Sequence, residues 1–415
     1  MATQFGFVPA VPPFVGAHQE EAVVAEYAAA LAACGGKRRD PVDMSGDEPL
    51  FYLVATGGTE RVVMQLREAR AKTAPREPVF LIAHPGNNSL PASLEVLARL
   101  QQEGAHGRIL YLSSPNDSGG LAAIVSAAEA LQVRGKLEGV RIGLVGDPSD
   151  WLVASMPAPD VVREVWGPEV VPIGMDELAT RIDRAIVEEE TPLSATVLLG
   201  SSTGTVEPGG PEVVAAAQVE RALQGLVADF GLGAVTVRCF DLVLDRKTTG
   251  CFALAELNDA GIVAGCEGDL VSTVGLLWVR LLLGTTAWMA NPAQLDEASD
   301  TVVLAHCTVP RTMVNEYRLR SHFESGMGVG IQGVLPNGPV TLLRIGGARM
   351  ERLWLAEGEI VGSGDSEDLC RTQAHVRLTD GRVSELLEAP LGNHIVLVPG
   401  HHADTLLGYW EMLVD

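Results

Sequence analysis

The chain has 415 residues, 47% of them hydrophobic, 20% charged and 5% aromatic, with 45 glycines and 24 prolines. That composition is globular; it excludes a disordered, collagenous or coiled-coil chain, and at roughly 100–200 residues per domain it predicts two or three domains. With 30 Lys and Arg against 53 Asp and Glu the formal net charge is −23, so the averaged surface repels phosphate backbones and anionic headgroups, which argues against nucleic-acid and membrane partners and for a neutral or metal-bound ligand.

The amino-terminal stretch MATQFGFVPAVPPF has neither the basic region nor the apolar run of a signal peptide. Phe51–Ala55, Val79–Ala83 and Arg108–Leu112 then read as buried strands, with a helix over Pro91–Gln102 between the last two and Ser89 as its N-cap. Strands alternating with helices in this way predict βα units and a mainly parallel sheet. After a break at Arg134–Gly139, the strand Val140–Val145 opens a second set of such units. It continues through strands at Glu169–Ile173, Ala195–Leu199 and Val235–Cys239 and a helix over Val213–Ala228 behind Pro211. Helix-like segments follow at Cys251–Ala260 and Leu270–Leu283; the apolar run Val274–Leu283 contains Arg280 and is too short to span a bilayer. From Thr301 the texture changes to short strands (Val302–Ala305, Val340–Ile345, His375–Leu378, Ile395–Val398) between Gly, Pro and Asn turns, an antiparallel region of barrel type. Boundaries are expected near 137 and 288, giving domains 1–137, 138–288 and 289–415. The chain is expected to be cytoplasmic, with its six scattered cysteines as reduced thiols.

Six of nine histidines (His306, His322, His375, His394, His401 and His402) fall in the last 110 residues, which invites a metal site. The plainer alternative is a set of polar residues at strand ends. His401 and His402 follow a strand and precede the helical run Ala403–Leu413, a usual place to aim a ligand. In Gly265-Cys266-Glu267-Gly268-Asp269 two carboxylates stand at the start of a helix, where they can hold a cation or move a proton, or merely complement the helix dipole. The Gly-rich stretches lack a Walker or dinucleotide pattern, and there is no G-x-S-x-G. His306 and Cys307 are neighbours on a predicted strand, whose side chains alternate, so they are not expected to serve one site.

The segments LNDAGIVAGCEGDL (257–270), VLAHCTVPR (303–311), SHFESGMGVG (321–330), VTLLR (340–344) and PLGNHIVLVPGHH (390–402), in that order, resemble the L-fucose isomerase and L-arabinose isomerase superfamily, nearest its shorter fucose-isomerase-like members. HPGNNSLPASLE (84–95) extends the resemblance to the first domain. The resemblance implies an α/β fold of two doubly wound, Rossmann-like domains followed by a C-terminal antiparallel β-barrel-like domain. It also implies aldose–ketose isomerisation of a monosaccharide through a cis-enediol on a divalent metal, typically Mn²⁺, with Mg²⁺ or Co²⁺ as alternatives. A homo-oligomer, trimer or hexamer, is implied as well.

By position, the resemblance makes Glu267 a metal ligand and acid/base and His306 and His402 ligands, with Asp269 beside them in catalysis. Such chemistry needs a base for the C2 proton and a cation polarising carbonyl and hydroxyl oxygens; mixed oxygen and nitrogen ligands suit Mn²⁺ or Mg²⁺, and Cys266 and Cys307 become packing residues. Where the family has a second acidic ligand, this chain has Asn291, an amide that can coordinate but cannot take a proton. Either Glu267 does the proton work with help from Asp269 or Asp296, or the correspondence is displaced by a few residues, or activity has been lost and the protein only binds sugar. Asn87, Asn88 and Ser89 follow a strand end, where sugar-binding groups of open α/β sheets are carried, though a plain capping turn also explains them. Arg311, His322, Glu324 and His401 are further substrate contacts in this reading. Arg311 and Arg344 suit a sulfonate or carboxylate on a modified sugar, or serve as structural ion-pair residues.

Overall fold

The computed structural model describes residues 4–12, 17–44, 46, 48–188 and 193–414. They form two compact units, 1–135 with 407–415, and 136–406. The first holds a parallel sheet of β1 (Phe5–Ala10), β2 (Gly36–Arg38), β3 (Leu50–Val54), β4 (Val79–Ala83) and β5 (Gly107–Tyr111) in the order β2-β1-β3-β4-β5. β1, β3 and β4 are buried along their whole length, as apolar runs without alternation require of central parallel strands.

Asn88, not Ser89, precedes the helix Ser89–Gln102, and it makes no side-chain cap. Ser89 is buried and both sides of its hydroxyl are used: it donates to the Val54 carbonyl at 2.5 Å and accepts the His84 N–H at 3.1 Å. Its role is to staple the ends of β3 and β4. Asn87 and Asn88 are exposed, at φ 54° and 58°, a left-handed pair that asparagine tolerates better than other side chains.

The second unit begins with a parallel sheet of β6 (Arg141–Val145), β7 (Glu169–Ile173), β8 (Ala234–Val237) and β9 (Val263–Cys266), ordered β7-β6-β8-β9. Its later strands are β10 (Trp288–Asp296), β11 (Thr301–His306), β12 (Glu316–Arg320), β13 (Gly330–Val334), β14 (Gly338–Gly346), β15 (Arg352–Ser363), β16 (Thr372–Asp380) and β17 (Ile395–Pro399). β12 and β13 pair as a hairpin; the other six close an antiparallel barrel in the order β10-β11-β16-β15-β14-β17, which leaves no open edge.

Two expectations fail for local reasons. Ala195–Leu199 is helical, within Leu193–Ser201: Ala195 and Leu198 are buried and the residues between them exposed, a three-residue spacing that packs on the helix Gly210–Phe230. The loop expected over Arg134–Gly139 is not formed either, since the helix Ser118–Glu138 runs on to Glu138, although the boundary between the two compact units does fall within that stretch.

The helix Leu270–Leu283 joins sheet to barrel. Every residue from Leu270 to Val279 is buried, and it packs on β8 and β9 at one side and on β14 and β17 at the other. A helix without a polar face belongs in a core. Its first turn is fastened to the barrel by Arg344 of β14, which is 2% exposed. That guanidinium donates to Ser272 Oγ at 2.6 Å, Ser155 Oγ at 2.5 Å and Asp269 Oδ2 at 3.3 Å. Arg344 therefore has no surface to offer an anionic substrate. Truncating one partner of such a pair leaves the other charge buried and uncompensated, so Arg344→Met should destabilise the protein by about 3–5 kcal/mol, read as a lower midpoint in urea unfolding.

Candidate metal centre

β9 ends at Cys266, and the chain turns sharply through Glu267 and Gly268 into the helix Leu270–Leu283. Glu267 holds φ 63° without being glycine, a conformation that costs free energy and persists only where the surroundings enforce it. They do: the Glu267 carbonyl accepts the Ser149 N–H at 2.8 Å, and Gly268 (φ 74°) donates to the Val237 carbonyl at 3.0 Å. A Cβ on Gly268 would stand 2.7 Å from Pro148 Cα. The turn thus presents the Glu267 side chain, 8% exposed, to a cavity of about 290 Å³.

Two imidazoles approach it: His306, which also lines the cavity, from the end of β11, and the fully buried His394 from the residue before β17. Their Nε2 atoms lie 3.9 and 3.6 Å from Glu267 Oε1, too far for hydrogen bonds, and the three donor atoms all lie within 4.8 Å of one another. Each ring is fixed from behind. His394 Nδ1 is 2.8 Å from Asp269 Oδ2, and His306 Nδ1 is 2.9 Å from Thr308 Oγ1. With Nδ1 so engaged, Nε2 is the free donor atom; His394 Nε2 is buried and has no hydrogen-bond partner among the described residues. A buried imidazole nitrogen held toward a carboxylate and left unsatisfied fits a cation that supplies the missing bond, with the carboxylate behind the other nitrogen setting the tautomer. One oxygen and two nitrogen donors, with positions left open, suit Mn²⁺ or another divalent cation of similar preference.

The charges agree with this geometry. Burial by itself raises the Glu267 pKa, but the imidazoles of His306 and His394 outweigh it and hold the carboxyl well below its ordinary value. Burial likewise opposes ionisation of Asp269, and Arg344 and His394 reverse it. His394 is pushed up to about 9: burial lowers it, and the Asp269 and Glu267 carboxylates more than compensate.

Several expected site residues lie elsewhere. His402 is not at the centre; its Nε2 is 2.9 Å from the Pro399 carbonyl and its N–H donates to Thr341 Oγ1 at 2.8 Å. His401 is exposed, 3.6 Å from Glu357. The reason is strand geometry: β17 separates His394 from His401 and His402, and five residues at about 3.3 Å each put its two ends roughly 16 Å apart. Asp269 has no exposed surface; it caps the helix by accepting the Ser272 N–H at 2.8 Å and orients His394. Asp296 is exposed in a turn with Ser299. Arg311 forms a two-pronged ion pair with Glu256 and lines a different cavity. His375 lies within β16, away from the cavity wall.

Asn291, His322 and Glu324 do line the cavity, with Asn393 beside Asn291. An aromatic wall, Trp151 against Phe240 and Phe240 against His322, completes one side. Trp151 Nε1 donates to Glu267 Oε2 at 2.5 Å, so both oxygens of Glu267 are directed. Five of the six cysteines (Cys239, Cys251, Cys266, Cys307 and Cys370) also line this cavity. Cys307 shares it with His306 because β11 ends at His306, beyond which strand alternation no longer sorts side chains.

No protein-family model matches the chain. Over 235 residues it is 24% identical to a sulfoquinovose isomerase of Clostridium sp. (strain MSTE9), covering 56% of this chain and 52% of that protein. Over 78 residues it is 30% identical to the sulfoquinovose isomerases of Priestia aryabhattai and Priestia megaterium (strain ATCC 12872 / QMB1551), 18% of the length on each side. The chain thus spans about half the length of the first of these relatives and under a fifth of the others. It is similar to sugar isomerases, and the described residues hold a Glu/His/His cluster able to bind a metal ion. No helix among the described residues is long and apolar enough to cross a membrane.

His394→Ala should weaken Mn²⁺ binding at least tenfold by isothermal titration calorimetry, while His402→Ala leaves it unchanged; equal losses would remove His394 from the centre. Asp269→Asn, which alters no atom on the cavity wall, should cost about 10–100-fold in Mn²⁺ affinity through the misdirected imidazole, provided circular dichroism shows the fold retained.

Proposed function

We propose that the chain is a metal-dependent aldose–ketose isomerase acting on a monosaccharide. The observation that carries this reading is the unsatisfied Nε2 of the fully buried His394, held by Asp269 beside Glu267 and His306, which themselves line the cavity. Support comes from the likeness to sulfoquinovose isomerases. Glu267, His306 and His394 would hold the cation, with Asn291 as a neutral oxygen donor beside them. A divalent cation held there would supply polarisation of the carbonyl and hydroxyl oxygens at the two carbons that exchange hydrogen.

The protein supplies the remainder. Two carboxylates face the cavity, Glu267 and Glu324. Glu267 is engaged at both oxygens, by Trp151 and by the imidazoles, which keeps it ionised and makes it a poor proton acceptor. Glu324 is exposed to solvent on the same wall. In our reading it takes the proton from C2 and returns it at C1, a transfer that the amide of Asn291 cannot make. Trp151 and Phe240 give the apolar face of a sugar ring a surface to lie on, and Asn291, Asn393 and His322 give its hydroxyls partners. The substrate is a sugar, free or modified. The name of the relatives makes sulfoquinovose the first to test, beside uncharged aldoses.

The test incubates metal-stripped protein with and without Mn²⁺ in D₂O with such a panel and follows ketose formation and deuterium at C1 and C2 by NMR. Mn²⁺-dependent conversion of one sugar is expected. Glu324→Gln should abolish deuterium exchange without changing Mn²⁺ affinity, whereas Glu267→Gln should lose both; exchange that survives in Glu324→Gln would return the proton transfer to Glu267. Trp151→Phe, which keeps the ring surface and removes the N–H, should lower kcat more than it raises KM. Asn291 favours a second reading, a catalytically silent sugar-binding protein. Sugar bound without exchange, in protein shown to hold Mn²⁺, would establish it.

A further inference from the structure

The five cavity cysteines come from well-separated places in the chain, and two of them are in contact. Cys266 ends β9; Cys239 lies two residues beyond Val237 of β8, the residue paired with Cys266 across the parallel ladder. Their Sγ atoms are 3.1 Å apart. Both side chains line the solvent-connected cavity, so a small oxidant that enters it meets them together. No other protein group stands between the two sulfurs.

We propose that Cys239 and Cys266 form a reversible disulfide, and that this bond is a modification site built into the wall of the metal centre. The chemistry needs a two-electron oxidant of the hydroperoxide class, such as hydrogen peroxide. One sulfur attacks a peroxide oxygen, the O–O bond breaks and a sulfenic acid and water result. The second sulfur then attacks the sulfenic sulfur, the S–O bond breaks and the oxygen leaves as a second water, taking the remaining thiol proton. In sum two thiols and one peroxide give one disulfide and two waters: sulfur is oxidised and peroxide oxygen reduced.

The bond would act on the cation site through the main chain. Closing the pair from 3.1 Å to an S–S bond of about 2.05 Å moves the sulfurs by roughly 1 Å in total. Cys266 is bonded directly to Glu267, and the turn that follows has no slack. Glu267 is held at positive φ, Gly268 is packed against Pro148, and the Asp269 N–H donates to the Cys266 carbonyl at 3.0 Å. On the other side Cys239 precedes Phe240, which belongs to the aromatic wall. Oxidation therefore displaces the Glu267 carboxylate from the two imidazoles and weakens cation binding; reduction by a thiol restores it. This consequence rests on the metal reading above, whereas formation of the bond does not.

The experiment treats the metal-free 415-residue chain with hydrogen peroxide, blocks free thiols with iodoacetamide and maps unreduced peptides by mass spectrometry. A linked pair of peptides carrying Cys239 and Cys266, lost on treatment with dithiothreitol and absent from Cys239→Ala and Cys266→Ala, is expected. Full alkylation of both residues after oxidation, or a linkage to Cys251, Cys307 or Cys370 instead, would overturn the proposal. Mn²⁺ titration of oxidised and reduced protein separates the two claims: binding about tenfold weaker in the oxidised form, recovered with dithiothreitol, supports the coupling. An equal drop on oxidising Cys239→Ala would refute it while leaving the mapped bond intact.

Discussion

The carboxylate of Asp269 is the constraint on which the rest of the second unit turns. It is wholly buried, a position that opposes its charge, and it stays ionised because three kinds of partner converge on it: the Ser272 amide and hydroxyl of its own helix, the Arg344 guanidinium from the barrel, and the His394 imidazole. One group thereby starts a helix, fastens that helix to the barrel and selects which nitrogen of His394 faces Glu267. None of these tasks exposes it to a ligand. A buried charge that breaks even in stability only when fully partnered is a sensitive device for fixing geometry, because each partner must be in place before burial is tolerable.

Around that point the site is assembled from turns and strand ends, with its backbone enforced by close contacts. Glu267 occupies a conformation that few side chains adopt, and its neighbours on both sides are held by main-chain hydrogen bonds and by the approach of Pro148. The directed carboxylate, the two back-supported imidazoles and the aromatic wall are thus pre-set.

How much of this the sequence made legible depended on distance along the chain. The alternating elements of the parallel sheets were readable because a buried strand or a regular helix is a local pattern, and Val79–Ala83, Glu169–Ile173 and Leu270–Leu283 were placed to the residue. β15 went unread, its apolar alternation interrupted by Glu357, Gly358 and Glu359, and the helix Leu193–Ser201 was misread from its β-branched and leucine content. At the site, Glu267 and His306 stood out by motif. His394 did not, although it lies in the same motif as His402, since choosing between them requires knowing that β17 pairs with β10 so that Ile395 faces Ala290 beside Asn291. The convergence of five cysteines had no local signal at all: their spacing is irregular, and only the return of β8, β9, β11, β16 and the helix Cys251–Asp259 to one place brings them together.

Barrel closure has one more consequence, for the order in which the molecule can assemble. The strand that seals the barrel, β17, is also the last strand among the described residues, and the residue just before it is His394. Glu267 and His394 are 127 positions apart (394 − 267), so the nascent chain carries the first candidate donor long before the last. Contacts of such long range form late in folding, after the intervening loop has been ordered. The complete set of three candidate donors is therefore a property of the finished barrel, and a cation held by all three would act as a latch that closes only on a correctly registered β17.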